Sequence, residues 1–101
     1  MISHIQMEYL LAVARTGNIT KAAQQLHISQ PSLSNQIIAL EKQLGIPLLE
    51  RRRKRIYLTD AGLYFANQSY KILTQSRNLE YAMKEFSRLQ NGSLRVGLLP
   101  I

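Results

Sequence analysis

The chain has 101 residues, with thirteen Lys and Arg against six Asp and Glu for a net charge of +7. That length leaves no room for a second large domain, and the charge points toward a polyanionic partner. Cysteine is absent, which excludes disulfide staples and thiolate metal sites and leaves apolar packing to hold the fold.

Met1 to Gln6 show no basic stretch followed by an apolar run, and no long apolar window occurs anywhere. The chain is therefore expected to be soluble, not exported and without a membrane partner. Met7, Leu10, Leu11 and Ala14 fall at i, i+3, i+4 and i+7, the stripe of an amphipathic first helix that Gly17 and Asn18 would end. Thr20 can cap a short second helix whose Ala22, Ala23 and Leu26 face inward and which stops near His27.

Ser29 offers a hydroxyl to the free N–H groups of a third helix, and Pro31 is tolerated in its first turn. Leu33, Ile37, Leu40 and Leu44 bury one face of that helix, and Gly45 closes it. Two short helices joined by the tight Leu26 to Ser29 connection form a helix-turn-helix pattern. Between Leu48 and Thr59 the period changes, and a short hairpin with a basic tip fits Arg51, Arg52, Arg53, Lys54 and Arg55, followed by Ile56, Tyr57 and Leu58.

Thr59 then caps a helix that can run to about Leu89, because the next breaker is Asn91-Gly92. Phe65, Ile72, Leu79 and Phe86 recur along it every seventh position, with Ser69, Ser76 and Met83 between them, which is a coiled-coil seam. Leu63, Ala66, Tyr70 and Leu73 form a second stripe on the first half only. One seam for the chain's own domain and one for a partner describe a dimerisation helix, so a homodimer is expected. From Ser93 to Ile101 the alternation of Leu94, Val96 and Leu98 reads as a strand without a partner, as if the chain stopped just inside another domain.

The fold class expected is mainly α: a winged helix-turn-helix over residues 1–59, a dimerisation helix over 60–90, and the start of a truncated domain over 91–101. In that frame Gln30, Pro31, Ser34, Asn35 and Ile38 lie where a recognition helix meets base edges in the major groove, with Ser29 and Ser32 beside them. Gln and Asn match adenine through paired donor and acceptor, while Pro31 and Ile38 suit thymine methyls. On an isolated helix these would be capping and solvated positions. The Arg51 to Arg55 run would by itself be a solvated charge cluster, but five cations on a hairpin beside a recognition helix repel one another until a polyanion approaches. Arg in the minor groove and the others on phosphates fit that arrangement. Arg51, near the strand start, either holds the wing or meets a phosphate. Thr20 and Lys21, at the start of the second helix, are placed for phosphate contact. His4 and His27 have no ligand-spaced partners, so neither a metal nor a cofactor is expected.

The run from Ala22 to Ser34, with Ile37, Leu40-Glu41, Leu44-Gly45, Pro47-Leu48, Arg51 and Leu58-Thr59-Asp60-Ala61-Gly62, resembles the N-terminal domain of LysR-type transcriptional regulators. Gly92 to Gly97 resembles the start of that family's effector-binding domain. The resemblance implies a bacterial, cytoplasmic regulator that binds double-stranded DNA sequence-specifically, with the recognition helix in the major groove and the wing at the minor groove. It implies homodimers through the long helix, tetramers when complete, and a small-molecule effector bound by the domain missing here. Three departures stand out. Leu10 and Leu49 replace the usual Phe, Asn35 and Ile38 stand where Arg or Lys is common, and Arg52 and Arg53 replace a small-residue turn.

Two other readings compete. Another winged-helix family, MarR-like for example, leaves the long seam and the following strand unexplained. An adaptor binding an acidic protein partner would show only nonspecific electrostatic binding to DNA. An enzyme is disfavoured, since no Ser, His and Asp set, carboxylate pair or phosphate-cradling Gly loop is present.

Overall fold

A computed structural model describes residues 1–91. It contains α1 (His4–Thr16), α2 (Ile19–Leu26), α3 (Gln30–Leu44), β1 (Leu49–Arg52), β2 (Arg55–Leu58) and α4 (Asp60–Asn91). The expected strand after Ser93 lies outside the described residues. Residues Met1–Lys71 form one compact unit, and the rest of α4, from Ile72, belongs to another. The first holds the three short helices, the hairpin and the opening turns of α4.

Capping sets the helix limits. Ser3 and Gln6 form a capping box at the start of α1: the Ser3 N–H donates to Gln6 Oε1 (2.8 Å) and the Gln6 N–H to Ser3 Oγ (3.1 Å). Gly17 ends α1 at φ 66°, a left-handed conformation that costs glycine little. The cap of α2 is Asn18 and not Thr20: Asn18 Oδ1 accepts the Lys21 N–H at 2.9 Å, and Thr20 lies exposed inside the first turn. An N-cap Asn accepts from an orphan N–H in the way Thr does, and ranks above it. His27 closes α2 at φ 58°, and Ser29 caps α3, which ends at Gly45 with φ 73°.

The core consists of Leu10, Ala12, Val13, Ile19, Ala22, Ala23, Leu33, Ile37, Leu40 and Leu48, with Leu26, Leu44, Leu49, Ile56 and Phe65 packed against it. The inward face of α1 is rotated from the expected stripe, since Met7, Leu10, Ala12 and Val13 are buried while Leu11 and Ala14 are half-exposed. α1 meets α2, α3 and β2, and packing on several sides buries small Ala12 as well as the periodic positions. Leu10 is fully buried and Leu49 rests against the core, so the fold accommodates an aliphatic side chain at both positions.

β1 and β2 pair antiparallel in the register Leu49↔Leu58, Glu50↔Tyr57, Arg51↔Ile56 and Arg52↔Arg55. The two-residue loop is therefore Arg53-Lys54, both at positive φ (51° and 66°), as a type I′ turn requires. Turns of this geometry favour Asn-Gly, so this tip holds two long cationic side chains on strained backbone. Three ties fix the hairpin to the helices. The Ile56 N–H donates to Gly17 O (3.2 Å), and Glu41 Oε2 accepts the N–H groups of Leu48 (2.7 Å) and Leu49 (3.1 Å). The Thr59 N–H donates to Leu48 O at 3.0 Å, and its hydroxyl donates to Pro47 O at 2.8 Å while accepting the Gly62 N–H at 3.0 Å. Gly62 is required by space: a Cβ there would stand 2.0 Å from Leu48 O.

The seam on α4 divides. Phe65 packs against the core and Ser69 is 2 % exposed, so these two face their own domain and are withdrawn from the expected partner surface. Leu63 and Tyr70, expected to face inward, are exposed instead, whereas Ala66 and Leu73 are buried. The cause is the inward turn of the helix start, which aims Ala61, Phe65 and Ala66 at the core. Further along, Ile72, Leu79 and Met83 are exposed, while Ser76 and Phe86 are half-exposed. Among the described residues, no helix is long and apolar enough to cross a membrane.

Candidate nucleic-acid interface

The outward face of α3 follows from its buried one. Leu33, Ile37, Leu40 and Leu44 point into or against the core. At 3.6 residues per turn, Gln30, Pro31, Ser34, Asn35 and Ile38 then share an arc of roughly 140° on another side. Gln30, Pro31, Asn35 and Ile38 are exposed, and Ser34 is half-buried. Ser29 and Ser32 are engaged with each other: Ser29 Oγ accepts the Ser32 N–H (3.2 Å) and donates to Ser32 Oγ (2.8 Å). Their first task is to cap the helix, although both remain exposed.

The wing lies alongside this face. A shallow cleft is lined by Ile19 of α2, Ser34, Ile37, Ile38 and Glu41 of α3, and Leu49, Arg51 and Ile56 of the hairpin. Arg51 thus shares a surface with Ser34 and Ile38, because it alternates with Leu49 on the side of β1 that faces the helices. Arg52 and Arg55 stand opposite each other on the outer side, with Glu50 and Tyr57.

A second, polar notch joins the start of α2 to the wing, lined by Thr16, Gly17, Asn18, Lys21, Lys54 and Arg55. Three cations there flank a helix N-terminus, whose partial positive charge adds to theirs. Thr20 is exposed close by in sequence. All the sequence-predicted positions of α2, α3 and the wing fall within one structural unit, but only Ser34, Ile38 and Arg51 line the first concavity and only Lys21, Lys54 and Arg55 the second. Thr20, Ser29, Gln30, Pro31, Ser32, Asn35, Arg52 and Arg53 line neither, while Phe65 packs against the core and Ser69 is buried. Among the described residues, no three His, Cys, Asp or Glu side chains cluster as metal ligands would.

Three residues that shape this surface are not evident from the sequence pattern. Glu41 straps α3 to the hairpin, and its signal is a lone acid at the inner edge of an otherwise apolar stripe. Asn18 caps α2, and Tyr57 sits under two arginines. The last is foreshadowed by strand alternation, since Tyr57 is two positions from Arg55 and thus on the same face.

Residues 5–63 match the signature of the bacterial regulatory helix-turn-helix proteins of the lysR family. The chain belongs to that family. It is 40 % identical over 94 residues to the "Probable cat1 operon transcriptional activator" of Acinetobacter lwoffii, covering 93 % of this chain and 31 % of that protein. This LysR-family chain thus spans about a third of the length of the curated relatives it matches. Among solved structures, the CbnR DNA-binding domain in complex with DNA superposes with a TM-score of 0.80 at 38 % identity, over 86 % of this chain and all of that one. The BenM DNA-binding domain with benA site 1 DNA gives 0.82 at 35 % identity, over 85 % of this chain and 97 % of that chain. The winged helix-turn-helix fold agrees with these neighbours, and the MarR-like alternative is set aside by the family match.

Proposed function

We propose that this LysR-family chain is the DNA-binding part of a bacterial, cytoplasmic transcription regulator that acts as a homodimer and not as an enzyme. The observation that carries the proposal is the single surface on which the polar face of α3 lies beside a hairpin bearing Arg51 to Arg55. Gln30, Pro31, Ser34, Asn35 and Ile38 meet base edges in the major groove, while Arg53 and Lys54 reach the minor groove from the wing tip. Lys21, Thr20 and Arg55 take the phosphate backbone from the side of α2.

Residues 1–59 form the DNA-binding module and 60–90 the pairing helix, with Ile72, Ser76, Leu79, Met83 and Phe86 facing the second copy. Residues 91–101 lead to an effector-binding domain, and with it the regulator forms tetramers. The effector belongs to the part of the relatives' length that this chain does not span.

The test is site selection from a random duplex library at two salt concentrations. Sequence-discriminating, salt-sensitive binding supports the proposal. Binding that falls with salt but ignores sequence would favour an adaptor for acidic proteins.

A further inference from the structure

The outer face of the wing carries a large aromatic ring that lies outside the core cluster, beside Val13, Ala14 and Gly17. Tyr57 is 41 % exposed, and the register places it on the side opposite Leu49 and Ile56, which pack against the core. Over its ring lies the Arg52 guanidinium, 4.4 Å from the centroid, and the Arg55 guanidinium stands 6.0 Å away. Arg52 is held on a second side, since its Nε is 3.7 Å from Glu50 Oε1. Arg55 is held too, running across Gly17 so closely that a Cβ there would lie 3.1 Å from its Nε.

From this geometry we infer that Tyr57 is a positioning residue, a platform that keeps the Arg52 and Arg55 guanidinium groups near its ring, ready for a DNA backbone phosphate. The inference rests on the DNA-binding reading above. Stacking engages the flat face of a guanidinium and leaves its in-plane N–H donors free. With Glu50 beside Nε, the two terminal nitrogens of Arg52 remain as a fork, which matches two phosphate oxygens. An aromatic ring also gives mutually repelling cations a neutral partner, so the side chains stay near each other without losing charge. Ordering them before binding removes part of the rotamer entropy that a free arginine loses when it meets a phosphate.

A double-mutant cycle tests this, using the full chain and a duplex of mixed sequence about 20 base pairs long, titrated by fluorescence anisotropy across a salt series. Tyr57→Phe keeps the ring and should bind like the parent. Tyr57→Leu should bind about two- to fivefold more weakly per wing, the weight of an exposed cation–π interaction. Arg52→Gln should lose a larger factor in the parent than in the Tyr57→Leu background, because the arginine is already unheld there. Equal factors in both backgrounds overturn the inference while leaving DNA binding intact, whereas a parent that binds no duplex overturns the proposed function and this inference together. The Arg52 Nε–H resonance provides a readout that needs neither DNA nor the Leu variant. A ring-current shift in the parent and in Tyr57→Phe is expected, and an ordinary solvent-exposed shift in both removes the platform.

Discussion

Replacing Gly62 by alanine sets two effects of opposite sign against each other. In an exposed helix interior the change should stabilise by about 1 kcal/mol, since alanine loses less conformational entropy. Here the new Cβ would sit 2.0 Å from Leu48 O and 2.9 Å from Leu48 C. A carbon atom normally keeps roughly 3.3 Å from a carbonyl oxygen. The start of α4 must therefore draw away from Leu48 by more than an ångström, and no side-chain rotation can absorb it. Leu48 is 1 % exposed and its carbonyl accepts the Thr59 N–H at 3.0 Å. Overpacking of this kind costs about 1–3 kcal/mol, here at the upper end because the obstacle is backbone. Loss of the Thr59 hydrogen bonds to Leu48 O and Pro47 O adds about 1 kcal/mol each. The net expectation is a destabilisation of about 3–4 kcal/mol, a large share of a small domain's stability. Urea unfolding followed by circular dichroism measures it, with Asn67→Ala, exposed on the same helix, as a control expected to gain a few tenths of a kcal/mol, roughly its propensity difference. A Gly62→Ala midpoint equal to or above the parent's would refute the close-approach argument.

Other perturbations bear on the remaining elements. Leu79→Asp with Phe86→Asp should convert dimers to monomers in sedimentation equilibrium, and an unchanged mass would move the interface away from α4. Asn35→Ala should cost on the order of 1–3 kcal/mol at one base pair per half-site and relax preference there. In site selection the parent should choose A and T at the contacted positions, and guanine-dominated half-sites would contradict that readout. Arg53→Asn with Lys54→Gly should raise the wing's stability by about 1 kcal/mol, because both replacements tolerate positive φ better. The same pair of changes should weaken DNA binding and lower the salt slope by about 0.9 for each phosphate that is no longer neutralised. Glu41→Ala strands the N–H groups of Leu48 and Leu49, so a loss of about 2–3 kcal/mol is expected in thermal unfolding.

Much of the architecture is legible in punctuation. Ser29, Gly45 and Thr59 mark helix limits that the structure keeps, and the apolar stripe of α3 selects Leu33, Ile37 and Leu40 for the core. Sequence and structure part where two residues could do one job. Asn18 and Thr20 are both capping types two positions apart, and only the backbone at Asn18, extended at φ −152° and ψ 120°, decides between them. Phe65 and Ser69 fit a heptad as well as an inward face, since a periodicity of side chains does not name what covers them. The cationic run of the wing is plain, but its division into an inner Arg51, an outer Arg52 and Arg55 and a two-residue tip depends on the hairpin register. That register follows from a turn type the sequence disguises by placing Arg-Lys where Asn-Gly is expected.

The strap formed by Glu41 has an electrostatic side. Its carboxylate lines the same cleft as Ser34, Ile38 and Arg51, and the two amide donors that hold it spread its negative charge without cancelling it. A phosphate entering that shallow cleft would meet this like charge as well as the Arg51 cation that lines it. The neutral edge of a base meets no such barrier. On the DNA-binding reading proposed above, a duplex would then be turned so that its backbone passes toward Lys21, Lys54 and Arg55, with Glu41 setting a lateral limit beside Arg51.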